Sequence, residues 1–436
     1  MTIHKGIEKI DLPNWWGFVV GLCDGVLWGL WGGDCSPPKK IDCLKLAPYQ
    51  MILSESIMSR SSSNFDLIKR PIDEITDTLR QYKAQLVVTS FPDLYMIKFT
   101  PETLASDPTI NSLRGVIFNH KTGKIYAPSY PVPIEFKDQS PSEQSAIVAQ
   151  MHQGEYSVQE ALDGTLIRLW FYDEANRWIV STNGKEDANH AFWMNGCSFA
   201  DQFAMAVPKI NYSELSKDYV YLFALCHPLN IIVVNHLVPR AYHLTTYDRT
   251  TLKEVCCELG LDQPKTFSIT VKEVQRRVLD SLSCPVISAG YVVVKKPTED
   301  GVVRRYRFEN VNYTRARALR GNSNVVEMII LGYLLNRDQS KITDFIRYYP
   351  VYYQLYADMH QALLNLVARL FTLYGLRYKQ HQQVFVQPRH HHIFLGEIHK
   401  AVYQDHLQKI GKTVQCSDIM DFVCSQPKEI VYQLLV

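Results

Sequence analysis

The sequence predicts an α+β protein in which a sheet-rich domain is followed by an all-α domain. Two observations support this prediction. Between Gln85 and about Tyr313 the chain alternates short β-branched and aromatic runs with turn residues, a pattern typical of strands. After Arg320 the apolar residues recur at helical spacing, for example in 325–335 and 363–371. The chain has 436 residues, which is enough for two or three domains because a domain typically has about 150.

The predicted elements follow one another within three segments, 1–64, 65–320 and 321–436. The first segment ends at a polar stretch, and residues 66–84 then have the pattern of a helix. The strand candidates of the middle segment are the runs 86–88, 116–118, 167–171, 178–180, 231–234 and 291–294.

Composition excludes several classes of protein. A hydrophobic content of 46% and a charged content of 21% exclude a largely disordered chain. The net charge is only +2, so a site for nucleic acid has to be a local patch of charge. The ten cysteines do not have the spacing of a disulfide framework, which favours an intracellular, reducing compartment.

Residues 15–33 are rich in tryptophan and contain one charged residue, Asp24. They lack the basic start of a signal peptide. Clustered Trp is typical of a membrane interface or of a protein groove, so one interpretation is a membrane or partner contact. The other is a buried N-terminal arm. The residues concerned are Trp15, Trp16, Trp28 and Trp31.

Five segments of the middle region, taken in order, resemble the nucleotidyltransferase core of ATP-dependent RNA ligases of the bacteriophage type. The resemblance covers about residues 110–320 and depends on the order of the segments rather than on any one of them. It implies a sheet-rich domain related to the ATP-grasp fold, ATP and Mg²⁺ as cofactors, and RNA as the partner. The segments are 156–167, 223–233, 242–249, 289–293 and 305–307 with Tyr313.

The residues that would carry the family's chemistry are substituted. In that family the Lys of K-x-D-G attacks the α-phosphate of ATP and forms lysyl-AMP before RNA ends are joined. Here Ala161 stands at that position, and a methyl group cannot act as a nucleophile. Ala224 and Ala289 stand where the family has a ribose-binding Glu and a metal-binding Glu. Uniform change to Ala is typical of deliberate inactivation, whereas further losses elsewhere favour natural decay.

The resemblance assigns the remaining motif positions to nucleotide binding. Asp163 and Gly164 complete the K-x-D-G motif, although Asp-Gly before a β-branched run is also a common turn. Asn183 stands where the family has the Arg of T-R-G. Arg305 and Arg307 replace the lysines of K-x-K, and arginines can still bind phosphate with a different geometry.

The histidine-rich stretch 389–392, together with His399, raises the question of a metal site. Consecutive His side chains rarely converge on one ion, and the spacing usual for metal ligands is absent. We therefore expect a surface loop here and no metal site.

Two functions are compatible with the sequence. The first is a catalytically disabled homologue of RNA ligases that still binds RNA or nucleotide, with the arginine-rich stretch 295–320 contacting phosphates. That stretch has a simpler interpretation as a solvated face. The second function is a structural or assembly protein that has kept only the fold and is anchored by its Trp-rich segment.

Overall fold

The computed structural model describes residues 64–103, 107–153, 156–193, 196–280, 285–295, 303–321, 323–383 and 389–436. All of them belong to one compact unit. Trp15, Trp16, Trp28 and Trp31 lie outside these residues, so their predicted membrane or partner contact stays a prediction. Within the described part of the chain, no helix has the length and apolar character needed to cross a membrane.

Strands dominate up to residue 309 and helices dominate after it. The elements of the first part are α1 (Ile72–Gln81), β1 (Ala84–Val88), β2 (Leu94–Phe99), α2 (Pro108–Asn111), β3 (Ile117–Asn119), β4 (Ile125–Ala127), β5 (Ile134–Glu135), α3 (Pro141–Gln153), β6 (Tyr156–Glu160), β7 (Thr165–Tyr172), β8 (Arg177–Thr182), α4 (Phe199–Ala206), β9 (Tyr219–Cys226), β10 (Arg240–Asp248), β11 (Glu254–Val255), β12 (Thr266–Phe267), α5 (Val271–Leu279), β13 (Gly290–Lys295) and β14 (Arg304–Glu309). The helices that follow are α6 (Val311–Arg320), α7 (Val326–Leu335), α8 (Gln339–Tyr348), α9 (Tyr353–Tyr374), α10 (Arg389–Ile398), α11 (Cys416–Cys424) and α12 (Lys428–Leu435). The predicted α+β class, with sheets before helices, is confirmed.

The strands in the described residues form three sheets. Their strand orders are β1-β2-β3-β4, β11-β10-β9-β7-β8 and β12-β6-β13-β14-β5. Neighbouring strands are antiparallel except for β14 and β5, which are parallel. The chain leaves the third sheet at the end of β6 and enters the second at the start of β7, so residues 161–164 connect these two sheets.

Alternation along β14 separates an apolar face from a charged face. Tyr306 and Phe308 are buried in an apolar cluster with Val274 of α5 and Met151 of α3. Because successive side chains of a strand point to opposite faces, Arg305, Arg307 and Glu309 share the other face. Three of the four charged residues of this strand are therefore positioned along one face.

One apolar core contains residues beside the strands of the third sheet and residues of the C-terminal helices. It contains Ala161, Ala289 and Tyr313 together with Leu331 of α7 and Leu366 of α9. Burial of such side chains is the main stabilising contribution to folding. The predicted division at residue 320 stays a prediction.

Two predicted elements differ in the structure. The prediction of a strand at 231–234 is wrong, because these residues form a loop. The backbone N–H groups of Val233 and Val234 donate to the Asp163 carboxylate and not to a neighbouring strand. The helix expected over 66–84 is divided. A 3-10 helix covers Asn64–Lys69, and α1 begins after Pro71, which lacks the N–H that a continuing helix needs.

Candidate nucleotide-binding site

Asp163, the carboxylate of the K-x-D-G-like segment, is buried and makes internal hydrogen bonds. Its Oδ2 accepts from the backbone N–H groups of Val233 at 2.8 Å and Val234 at 2.7 Å. Its Oδ1 accepts from the hydroxyl of Tyr313 at 2.8 Å. Burial and the neighbouring Asp163 charge raise the pKa of Tyr313, so the phenol stays a donor. Asp163 thus connects the 231–234 loop to α6.

The backbone around Asp163 is equally engaged. The imidazole Nε2 of His236 donates to the Asp163 carbonyl at 2.6 Å. A Cβ at Gly164 would lie 2.6 Å from the carbonyl oxygen of Leu225, closer than real Cβ contacts, so β7 can approach β9 here only with glycine. Internal hydrogen bonds therefore account for Asp163, and close packing of the strands accounts for Gly164.

The three alanines at which the resemblance expects catalytic residues are buried. Ala161 is 4% exposed, Ala224 is 7% exposed and Ala289 is 0% exposed. Ala161 donates its N–H to the carbonyl of Gly290 at 3.0 Å, next to Ala289. Ala224 lies in β9, the central strand of the second sheet. None of the three has a polar side chain, and Ala161 and Ala289 pack in the core shared with the C-terminal helices.

Arg305 is buried in an ion pair. Its Nη1 and Nη2 donate to the two carboxylate oxygens of Glu254 at 2.8 and 2.6 Å. Thr245 and Tyr247 also donate to this carboxylate, at 2.8 and 3.1 Å. The Arg305 guanidinium lies 4.8 Å from the ring centroid of Tyr130. A phosphate could bind Arg305 only by replacing Glu254.

Arg307 lies beside a groove of about 460 Å³, which we call the Glu309 groove. The charged and polar residues that line the groove include Glu135, Lys137, Asp138, Glu309, Thr314 and Arg317. Arg307 Nη2 is 3.2 Å from Glu309 Oε1, and Arg307 Nη1 is 3.8 Å from Glu135 Oε1. Although burial raises the pKa of Glu309, its bond to Lys137 and the charge of Arg307 hold it below its ordinary value, so the carboxylate is ionised.

Asn183 lies against the turn before β3. A Cβ at Gly115, where φ is +78°, would be 2.9 Å from Asn183 Oδ1. This Oδ1 atom is buried and has no hydrogen-bond partner among the described residues. Asn183 is therefore part of a packed corner that only glycine at 115 permits.

Sequence reasoning missed Arg168, which organises the same corner. Its side chain is fully buried in β7, and its guanidinium donates to the backbone carbonyls of Gly115, Thr182 at 2.6 Å and Pro128 at 3.5 Å. Burial lowers the pKa of Arg168 to about 9. A single charge inside the apolar run 166–172 was the available signal, because such a charge is buried only if its hydrogen bonds are made.

The surface loop predicted at 389–392 is wrong. These residues begin α10, and His391 is buried with its Nε2 3.0 Å from the Leu434 carbonyl. The apolar residues Phe394, Leu395 and Ile398 recur at helical spacing and pack this helix into the core. Within the described ranges, no three His, Cys, Asp or Glu side chains form a group that could hold a metal ion.

The chain is similar in structure to solved ATP-dependent ligases at low sequence identity. No family model and no curated protein matches it. An archaeal ATP-dependent RNA ligase is 13% identical with a TM-score of 0.41, over 80% of this chain and 81% of the other. A putative ATP-dependent DNA ligase from Aquifex aeolicus is 14% identical with a TM-score of 0.35, over 76% of this chain and 88% of the other. A Naegleria gruberi RNA ligase mutant with ATP and Mn is 12% identical with a TM-score of 0.30, over 43% of this chain and 58% of the other.

Proposed function

We propose that this chain is an RNA-ligase-like protein that binds RNA without joining it. The observation that carries the proposal is the residue at position 161. Where the resemblance calls for a nucleophilic lysine, the chain has a methyl group that is 4% exposed and packed in an apolar core. Lysyl-AMP cannot form at such a position, because covalent catalysis needs an activated nucleophile within reach of the phosphorus atom.

The residues present do not fit ATP and Mg²⁺ bound as the resemblance implies. Phosphoryl transfer depends on cations and metal ions that neutralise the developing charge. The metal-binding carboxylate is replaced by buried Ala289, and the cation at 305 is engaged by Glu254. We therefore assign no reaction step to ATP in this chain.

The Glu309 groove supports the RNA-binding part of the proposal. Lys137 and Arg317 hold their charged ends at its rim, and their side chains are 49% and 46% exposed. Such cations can bind backbone phosphates without regard to sequence. Arg307 adds a third cation, less exposed, on the face of β14 that also holds Glu309.

A second candidate function is that of a scaffold in an assembly. It is favoured by the shared core, since Ala161 and Ala289 contribute to the packing of the C-terminal helices. In a scaffold the former motif positions would serve folding alone. RNA affinity separates the two candidates, because a scaffold that docks proteins has no reason to bind RNA with a steep dependence on salt.

We expect a fluorescently labelled single-stranded RNA to bind the full chain, with an affinity that falls as salt rises. Replacing Lys137 and Arg317 together by Ala should weaken binding to all sequences. It should also lower the slope of log K against log salt by about 1.4, since each phosphate contact to a single strand contributes about 0.7. Fluorescence anisotropy at several salt concentrations measures both quantities.

The matched control replaces Lys69 and Arg80 by Ala. These two side chains are exposed, each pairs with an Asp three residues before it, and their loss changes the net charge equally. The control should keep the slope of the unmodified chain. If the chain has no measurable RNA affinity, RNA binding is excluded and the scaffold function is favoured. Equal slopes for the two double variants would place RNA binding elsewhere than at the groove.

A further inference from the structure

The Glu309 carboxylate is surrounded by donors in a way that suits a larger anion. Its Oε2 accepts from Lys137 Nζ at 2.7 Å and from Thr314 Oγ1 at 3.0 Å. Its Oε1 accepts from Arg317 Nη1 at 3.4 Å and lies 3.2 Å from Arg307 Nη2. Three cations and a hydroxyl thus converge on one carboxylate. Phosphate, which has more acceptor oxygens and a larger charge, is recognised by the same kinds of donor.

Two of the donors around Glu309 are open to solvent. The Glu309 side chain is 4% exposed and lies at the base of the groove, whereas Lys137 and Arg317 are about half exposed at the rim. The groove of about 460 Å³ is large enough for a phosphate group. An anion entering it would meet the cations that hold Glu309.

The surroundings retain further positive charge. Arg114 lies close enough to Arg317 that burial and this neighbouring charge together lower its pKa. Glu135 lies on the other side, 3.8 Å from Arg307, and its Oε2 is buried without a hydrogen-bond partner among the described residues. Burial raises the pKa of Glu135, so the protein environment disfavours its charged form. Asp138 also lines the groove, so the carboxylates other than Glu309 are those of Glu135 and Asp138, against the cations of Lys137, Arg307 and Arg317.

We propose that Lys137, Arg307, Thr314 and Arg317 form a phosphate-binding site that the carboxylate of Glu309 occupies as an internal competitor. The proposal rests on the proposed function in expecting a phosphate-bearing ligand, either the backbone or terminal phosphate of RNA or a free phosphate ion. In the unmodified chain, phosphate has to displace Glu309 or bind alongside it at the rim. Binding of free phosphate is then weak, and a longer anion that also contacts the rim is favoured.

Glu309→Gln tests the competition directly, because it keeps the shape of the side chain and removes its charge. We expect the full chain carrying Glu309→Gln to bind pyrophosphate at least tenfold more tightly than the unmodified chain, as measured by isothermal titration calorimetry. Adding Lys137→Ala to Glu309→Gln should reverse most of the gain. The matched control is Glu214→Gln, which removes the charge of an exposed Glu outside the groove and should leave pyrophosphate affinity unchanged.

Two RNA probes and inorganic phosphate identify the source of the phosphate group. Equal gains for 5′-phosphorylated and 5′-hydroxyl RNA indicate a backbone phosphate, whereas a gain only for the 5′-phosphorylated RNA indicates a terminal phosphate. A gain for inorganic phosphate and pyrophosphate alone indicates a free anion. Each of these results supports the site.

Unchanged affinity of folded Glu309→Gln for every probe would overturn the proposal. If that variant fails to fold, Glu309→Asp provides the test, because the shorter side chain withdraws the carboxylate from Lys137 and should give a smaller gain in pyrophosphate affinity. No gain in folded Glu309→Asp would then overturn the proposal. A chain that binds no RNA, but whose Glu309→Gln variant gains pyrophosphate affinity, would refute RNA binding and leave the phosphate site standing.

Discussion

Replacing Asp163 by Ala should lower the free energy of unfolding by about 3–5 kcal/mol, because it leaves two buried donors and one partly buried donor without an acceptor. These donors are the N–H groups of Val233 and Val234 and the hydroxyl of Tyr313. The 231–234 loop and α6 would both lose the group that fixes them. Urea denaturation followed by tryptophan fluorescence measures the change.

Two controls separate this effect from a general loss of charge or contact. Tyr313→Phe removes one of the three donors and keeps the carboxylate, so it should cost about 1 kcal/mol. Asp218→Ala removes an exposed carboxylate and should change the free energy of unfolding by less than about 0.5 kcal/mol. If Asp163→Ala were as stable as Asp218→Ala, the Asp163 carboxylate would not be a structural group and would be available to a ligand.

Ala161→Lys should destabilise the chain by at least about 3 kcal/mol and should not produce lysyl-AMP, because overpacking and the burial of an unpaired ammonium both oppose folding. Ala161 is packed among the core residues that hold the C-terminal helices. The matched control is Ala204→Lys on the exposed side of α4, which should be tolerated. Thermal unfolding and intact-mass measurement after incubation with ATP provide the two readouts.

The same reasoning applies to introducing all three residues that the resemblance expects. Ala161→Lys combined with Ala224→Glu and Ala289→Glu places three ionisable groups at positions that are at most 7% exposed. We expect this triple variant to be unfolded or insoluble and to join no RNA ends. Robust ligation by it would contradict our account and would mean that the alanines are deliberate replacements in an otherwise intact enzyme.

Local patterns predicted the elements that depend on local signals. The strand run 167–171 is confirmed as part of β7, because a run of apolar and aromatic residues is visible over a few positions. The wrong predictions have a different cause. Residues 231–234 look like a strand, yet their N–H groups at Val233 and Val234 pair with Asp163, which lies 70 and 71 residues away.

The partners of the charged residues could not be predicted for the same reason. Arg305 and Arg307 were expected to face a nucleotide, a role that stays a prediction, and the sequence does not indicate Glu254 and Glu309 as their partners. Glu254 is 51 residues from Arg305, and neither carboxylate belongs to a motif. A buried charged residue needs a partner, and only the fold shows which residue that partner is.

The central claim is that the positions to which the resemblance assigns catalysis serve internal contacts and that the chain forms no covalent nucleotide intermediate. Incubating the full chain with radiolabelled ATP and either Mg²⁺ or Mn²⁺, followed by denaturing electrophoresis, tests it most directly. Our account predicts no labelled protein band. A labelled band that is lost on acid treatment, as a lysine phosphoramidate would be, would contradict it. Loss of that band in Lys185→Ala, the exposed lysine nearest in sequence to the retained motifs, would identify the substitute nucleophile.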